Sequence, residues 1–75
     1  MTPKDKRIIE HAEKTGTPIF VLTAKDAAAI KTIEDYKRNC SILGCNETHI
    51  SGISSRINDF LSWTVSNPDK VKLPD

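Results

Sequence analysis

Long apolar runs, a dominant charge, glycine-rich stretches and abundant cysteine are all missing from this sequence. The most apolar run is Ile19-Phe20-Val21-Leu22, far short of the ~20 residues that a membrane-crossing helix needs. The opening residues Met1-Thr2-Pro3-Lys4-Asp5-Lys6-Arg7 lead into no apolar stretch, so no secretory signal is expected. With 11 basic and 10 acidic residues the net charge is +1. Nucleic-acid binders draw much of their affinity from phosphate neutralisation and usually carry a basic excess, which makes nucleic acid the less favoured partner. Only three glycines are present, and they form neither a phosphate-binding loop nor a dinucleotide fingerprint. The two cysteines read as reduced thiols of a cytoplasmic protein.

What is present is an ordinary globular balance, 37% hydrophobic and 28% charged over 75 residues. That length supports one domain. A domain of this size buries only about 60% of the surface of its unfolded chain, so a disulfide, a metal or a partner subunit commonly supplements its core.

The local pattern predicts a mainly α-helical domain. Thr2 caps a helix whose first position is Pro3, with Ile8, Ile9 and Ala12 as its apolar stripe and Gly16 at its left-handed end. Residues 18–22, short and rich in β-branched and aromatic side chains, read as a short buried extended or β segment. Their candidate partners are the tail Lys70-Val71-Lys72-Leu73 or the same segment of a second chain. Thr23 with Asp26 resembles a capping box, opening a long helix over about 24–43. Its apolar face is Ala27, Ile30, Ile33, Tyr36, Cys40 and Leu43, and Gly44 ends it. Asn46 caps a second long helix over about 47–66, with Ile50, Ile53, Ile57, Phe60 and Thr64 at alternating spacings of three and four. Leu61 and Val65 widen that stripe. Gly52 is its weak point, and Asn67-Pro68 stops it. A tight turn makes the two long helices an antiparallel hairpin, followed by an extended C-terminal tail. The short first helix is too small to cover both long stripes, so a homo-oligomer is expected.

No catalytic residue set emerges. Cys40, Cys45 and His49 have nearly the spacing of zinc ligands, but a structural zinc site takes four ligands at tighter spacing, and His11 is the only other histidine. Nucleophilic catalysis needs a nucleophile, a base and an orienting group; Cys45 and His49 alone lack the third. No enzyme activity, metal or cofactor is expected.

Two surfaces remain as binding candidates. Residues 40–56 resemble the helix-turn-helix of bacterial repressors, with Gly44 in the turn, Ile50 and Ile53 buried, and Glu47, Thr48, His49 and Ser51 facing DNA bases. Against it, no Lys or Arg lies between Arg38 and Arg56, so the docking face lacks phosphate contacts. The second candidate is an anion site. Thr23 and Lys25 lie at a helix start, where free N–H groups attract negative charge. Arg38, Arg56, Lys70 and Lys72 add cations, and Tyr36 or Trp63 offers a stacking surface.

The segment Pro18-Ile19-Phe20-Val21-Leu22-Thr23-Ala24-Lys25-Asp26, the later Trp63 and the closing Pro74-Asp75 resemble features of small phage- and prophage-encoded accessory proteins. The resemblance touches most of the chain and carries no catalytic residues with it. It implies a compact accessory or counter-defence protein that binds a host protein, DNA or a nucleotide signal of host defence, and of these a host protein or a small anionic, nucleotide-type ligand is favoured.

Overall fold

The computed structural model describes residues 2–74, which are mainly helical: α1 (Pro3–Thr15), α2 (Ala29–Leu43), α3 (Glu47–Ser66) and a 3-10 turn, Pro68–Lys70. Asp75 of the Pro74-Asp75 pair lies outside the described residues. No described helix is long and apolar enough to cross a membrane.

Local capping chemistry sets most helix ends. The Asp5 N–H donates to Thr2 Oγ1 at 3.1 Å, and the Asp5 carboxylate accepts from the Thr2 N–H at 3.4 Å. This reciprocal box satisfies two donors that the first turn of a helix otherwise leaves free. Gly16 (φ 68°) closes α1, with its own N–H and that of Thr17 both turned back to the Ala12 carbonyl. Gly44 (φ 81°) closes α2 the same way: the Gly44 N–H reaches Ser41 O and the Cys45 N–H reaches Cys40 O at 2.9 Å, a Schellman arrangement. Asn46 Oδ1 then accepts from the His49 N–H at 2.8 Å and starts α3. The α2 and α3 helices, joined by this turn, pack against each other.

Two expectations need correction. The first long helix begins at Ala29, not near residue 24. Backbone groups that a helix would need are used elsewhere: the Ala27 N–H donates to Lys72 O and the Lys72 N–H to Lys25 O, each at 2.8 Å. Asp26 Oδ1 accepts from the Ala28 N–H at 2.8 Å, and the Asp26 N–H returns to Thr23 O. Such local side-chain bonds compete with helix formation, and Thr23 supplies a turn carbonyl here rather than a capping hydroxyl.

The second correction concerns residues 18–22. They form no strand, and residues 18–21 are exposed rather than buried, Phe20 at 81% and Val21 at 67%, with Leu22 half-buried. The tail that was their candidate partner pairs instead with residues 25–27, through a single parallel bridge between Asp26 and Lys72.

The buried core is small: Ala12, Ala29, Cys40 and Ile53. Leu43 and Val65, expected in the apolar stripes, point into solvent. The three glycines separate into two kinds. Gly52 lies inside α3 with open space where a Cβ would stand, so Gly52→Ala is expected to raise stability by up to about 1 kcal/mol, because alanine restricts the unfolded chain. Gly44 is equally uncrowded but left-handed, so Gly44→Ala is expected to cost about 1 kcal/mol. Urea unfolding midpoints measure both; equal signs would be the wrong result.

Candidate functional site

Apolar side chains gather around residues 18–22. An open cleft of about 460 Å³ is lined by Ile8 and Ile9 of α1, residues 19–22, Ile33 of α2 and Phe60 of α3. Its polar lining is the pair Asp5 and Arg56, 3.5 Å apart, which ties α1 to α3. Hydrogen bonds from Thr2, and then the Arg56 charge, hold the Asp5 carboxyl below its ordinary pKa. A second cleft of about 600 Å³ shares Ile8 and Ile19 with the first and adds Lys4, Arg7, His11, Ala12, Thr17 and Pro18. The apolar surface is therefore continuous along the groove between α1 and the irregular segment. Ile19, Phe20 and Val21 are each more than half exposed there, as is Ile8.

The anion-site candidates separate. Lys25, Lys70 and Lys72 come together around a shallow depression of about 280 Å³ with Asp69. The two backbone bonds between the tail and residues 25–27 create that convergence. Arg38 is elsewhere, paired to Asp35 at 3.1 Å, and Arg56 is occupied by Asp5 and by Asp59 at 3.8 Å. Trp63 is half-buried, and its carbonyl accepts from Asn67 Nδ2 at 2.9 Å at the end of α3. Tyr36 belongs to a different cluster: its hydroxyl is 3.2 Å from His49 Nε2, with the rings edge to face at 6.2 Å.

That Tyr36–His49 contact reaches from α2 to the first turn of α3. The neighbouring Cys40 thiol, and then desolvation, raises the pKa values of Tyr36 and Cys45. A raised pKa keeps the Cys45 thiol protonated, the less nucleophilic form. Cys40 is buried and Cys45 half-buried, both as free thiols. No group of three or more metal-ligating side chains occurs among the described residues. Glu47, Thr48, His49 and Ser51 are exposed at the start of α3, as a recognition helix would require, but His49 is engaged by Tyr36.

The residues that sequence reasoning missed as a site are Ile8, Ile9, Phe20, Val21 and Phe60. Their apolarity placed them in a core, whereas the structure leaves much of that apolar surface open. The signal that locates them is the absence of any partner strand for residues 18–22. No protein-family model, no curated protein and no solved structure matches this chain.

Proposed function

We propose that this chain is a non-enzymatic, cytoplasmic binding module that works as a homo-oligomer, in the manner of a phage-type accessory or counter-defence protein acting on a host protein or a small anionic ligand. The observation that carries the proposal is the excess of exposed surface. A folded monomer of 8.3 kDa is expected to expose about 4,600 Å², whereas this chain exposes 6071 Å². The radius of gyration, 13.7 Å, likewise exceeds the roughly 11 Å of a close-packed domain of this length. The excess, about 1,500 Å², exceeds the ~800 Å² that each partner buries in a standard stable interface. Part of that surface is the apolar groove of Ile8, Ile19, Phe20 and Val21, and exposed apolar patches mark interaction sites.

The lysine depression at Lys25, Lys70 and Lys72 is where a small anion would bind. The rival reading, a helix-turn-helix DNA binder using residues 40–56, has its turn at Gly44 and its cap at Asn46 but no phosphate-contacting cation between Arg38 and Arg56. Light scattering at micromolar concentration tests the main proposal. A mass that is a multiple of 8.3 kDa is expected, and a single-chain mass overturns it. Melting the same samples with inorganic phosphate and nucleotides tests the anion site. A rise in midpoint supports it, since a ligand that binds only the native state adds stability; a flat response removes it and leaves the protein-partner role.

A further inference from the structure

Residues 18–22 combine three properties. Their backbone N–H and C=O groups make no hydrogen bond among the described residues: the nearest backbone bonds on either side involve Thr17 and Thr23. Their side chains are apolar and largely exposed. And no charged residue occurs anywhere from Thr15 to Ala24. Natural proteins guard unpaired strand edges with lysines, other charges or coverage by another element. Here the segment itself carries no such charge, the neighbouring Lys4, Asp5, Arg7 and Arg56 belonging to α1 and α3, which fits an edge that is meant to pair.

We infer that residues 18–22 of two chains pair as antiparallel strands across a two-fold axis at Phe20, making a second copy of this chain the occupant of the exposed apolar groove. The inference rests on the homo-oligomer proposed above and specifies its seam.

The chemistry of the segment selects the register. An antiparallel pair alternates hydrogen-bonded and non-hydrogen-bonded residue pairs. With Phe20 opposite Phe20 as a non-hydrogen-bonded pair, Ile19 lies opposite Val21 and exchanges both backbone bonds with it. Pro18, which has no N–H, then lies opposite Leu22 at another non-hydrogen-bonded position, where its missing donor costs nothing. Making Phe20 the hydrogen-bonded pair instead would put Pro18 where a donor is needed. A closed two-fold pairing also uses the same patch on both chains, so it ends at a dimer and does not propagate.

A two-stranded ribbon is marginal alone and needs an apolar surface beneath it. The cleft walls, Ile8, Ile9, Ile33 and Phe60, supply that surface from both copies. Period-two alternation presents Phe20 and Leu22 to one side and Ile19 and Val21 to the other. Each chain exposes about 1,500 Å² more than a close-packed monomer of its mass, which leaves room for the ~800 Å² per partner of a standard interface.

Cysteine trapping tests the seam. Phe20→Cys places two thiols at the axis, where a non-hydrogen-bonded pair holds its Cα atoms about 4.5 Å apart, within disulfide range. Leu73→Cys is the control, since Leu73 is as exposed as Phe20, at 83%. With oxidised glutathione, the Phe20→Cys chain is expected to form a covalent dimer at least about tenfold faster than the control, given that proximity. Peptide mapping should show a 20–20 link. Ile19→Cys chains mixed with Val21→Cys chains give a second readout, with a crossed 19–21 link expected. If light scattering shows an oligomer but neither link forms faster than the control, the seam is wrong and the oligomer stands. If the chain is a monomer, both fall.

Discussion

Phe20→Asp is expected to weaken self-association by about 30-fold or more while leaving the fold of the single chain intact. The size follows from position. An aromatic side chain at the centre of an interface commonly contributes 2 kcal/mol or more, and about 1.4 kcal/mol is tenfold in affinity. The substitution also places a carboxylate in the uncharged window from Thr15 to Ala24, where two such groups would face each other across the axis at close range. The fold should survive because Phe20 is 81% exposed, and substitutions at such sites usually change stability by no more than about 0.5 kcal/mol. Sedimentation equilibrium over a range of protein concentration measures the first effect, and the circular dichroism spectrum checks the second. Leu73→Asp, equally exposed but on the tail, should change neither. A Phe20→Asp chain that associates as tightly as the unmodified one would remove the groove from the interface.

The parts of the fold that the sequence made legible are those decided within a few residues. The α1 helix runs from Pro3 to Thr15 because Thr2, Asp5 and Gly16 cap it locally, and each is recognisable from its type and place. The α3 helix begins after Asn46 and ends before Asn67-Pro68 for similar reasons, and the Schellman turn at Gly44 was readable as a helix stop. The start of α2 was not. Thr23 and Asp26 imitate a capping box, yet the tail takes backbone groups of residues 25 and 27, and nothing near residue 24 signals a contact with residue 72. Strand formation has the same difficulty, because a strand is defined by its partner more than by its own residues. Residues 18–22 have strand-like composition and no partner strand among the described residues.

The candidate site divides along the same line. Lys25, Lys70 and Lys72 are plain as charges, but the Asp26–Lys72 bridge brings them together, and that is a tertiary fact. The pairing of Arg38 was open to view, since Asp35 stands three residues before it on one helix, and Asp59 stands three after Arg56. Such spacings bring opposite charges together on a helix surface and engage both arginines away from the lysine depression. The Tyr36–His49 contact depends on how α2 packs on α3 and has no local sequence signature.

Ile53→Ala is expected to lower the melting midpoint by roughly 10–25 °C. Ile53 is the large aliphatic side chain among the buried residues of the described chain; the others are Ala12, Ala29 and Cys40. Removing buried methyl and methylene groups costs their transfer free energy and leaves a cavity, together about 2–4 kcal/mol for Ile→Ala. A 75-residue domain holds only about 4–11 kcal/mol in all, and 1 kcal/mol moves the midpoint of so small a domain by about 4–8 °C. The loss should be read against protein concentration. Where dimerisation stabilises the native chain, the midpoint rises with concentration. That slope should persist in Ile53→Ala and vanish in Phe20→Asp, because the first substitution empties the core and the second removes the contact between chains. A drop below about 3 °C for Ile53→Ala would mean that the α2–α3 core is not what holds the chain together, since even 1 kcal/mol of lost packing exceeds it. A slope common to all three chains would place the stabilising contact away from Phe20.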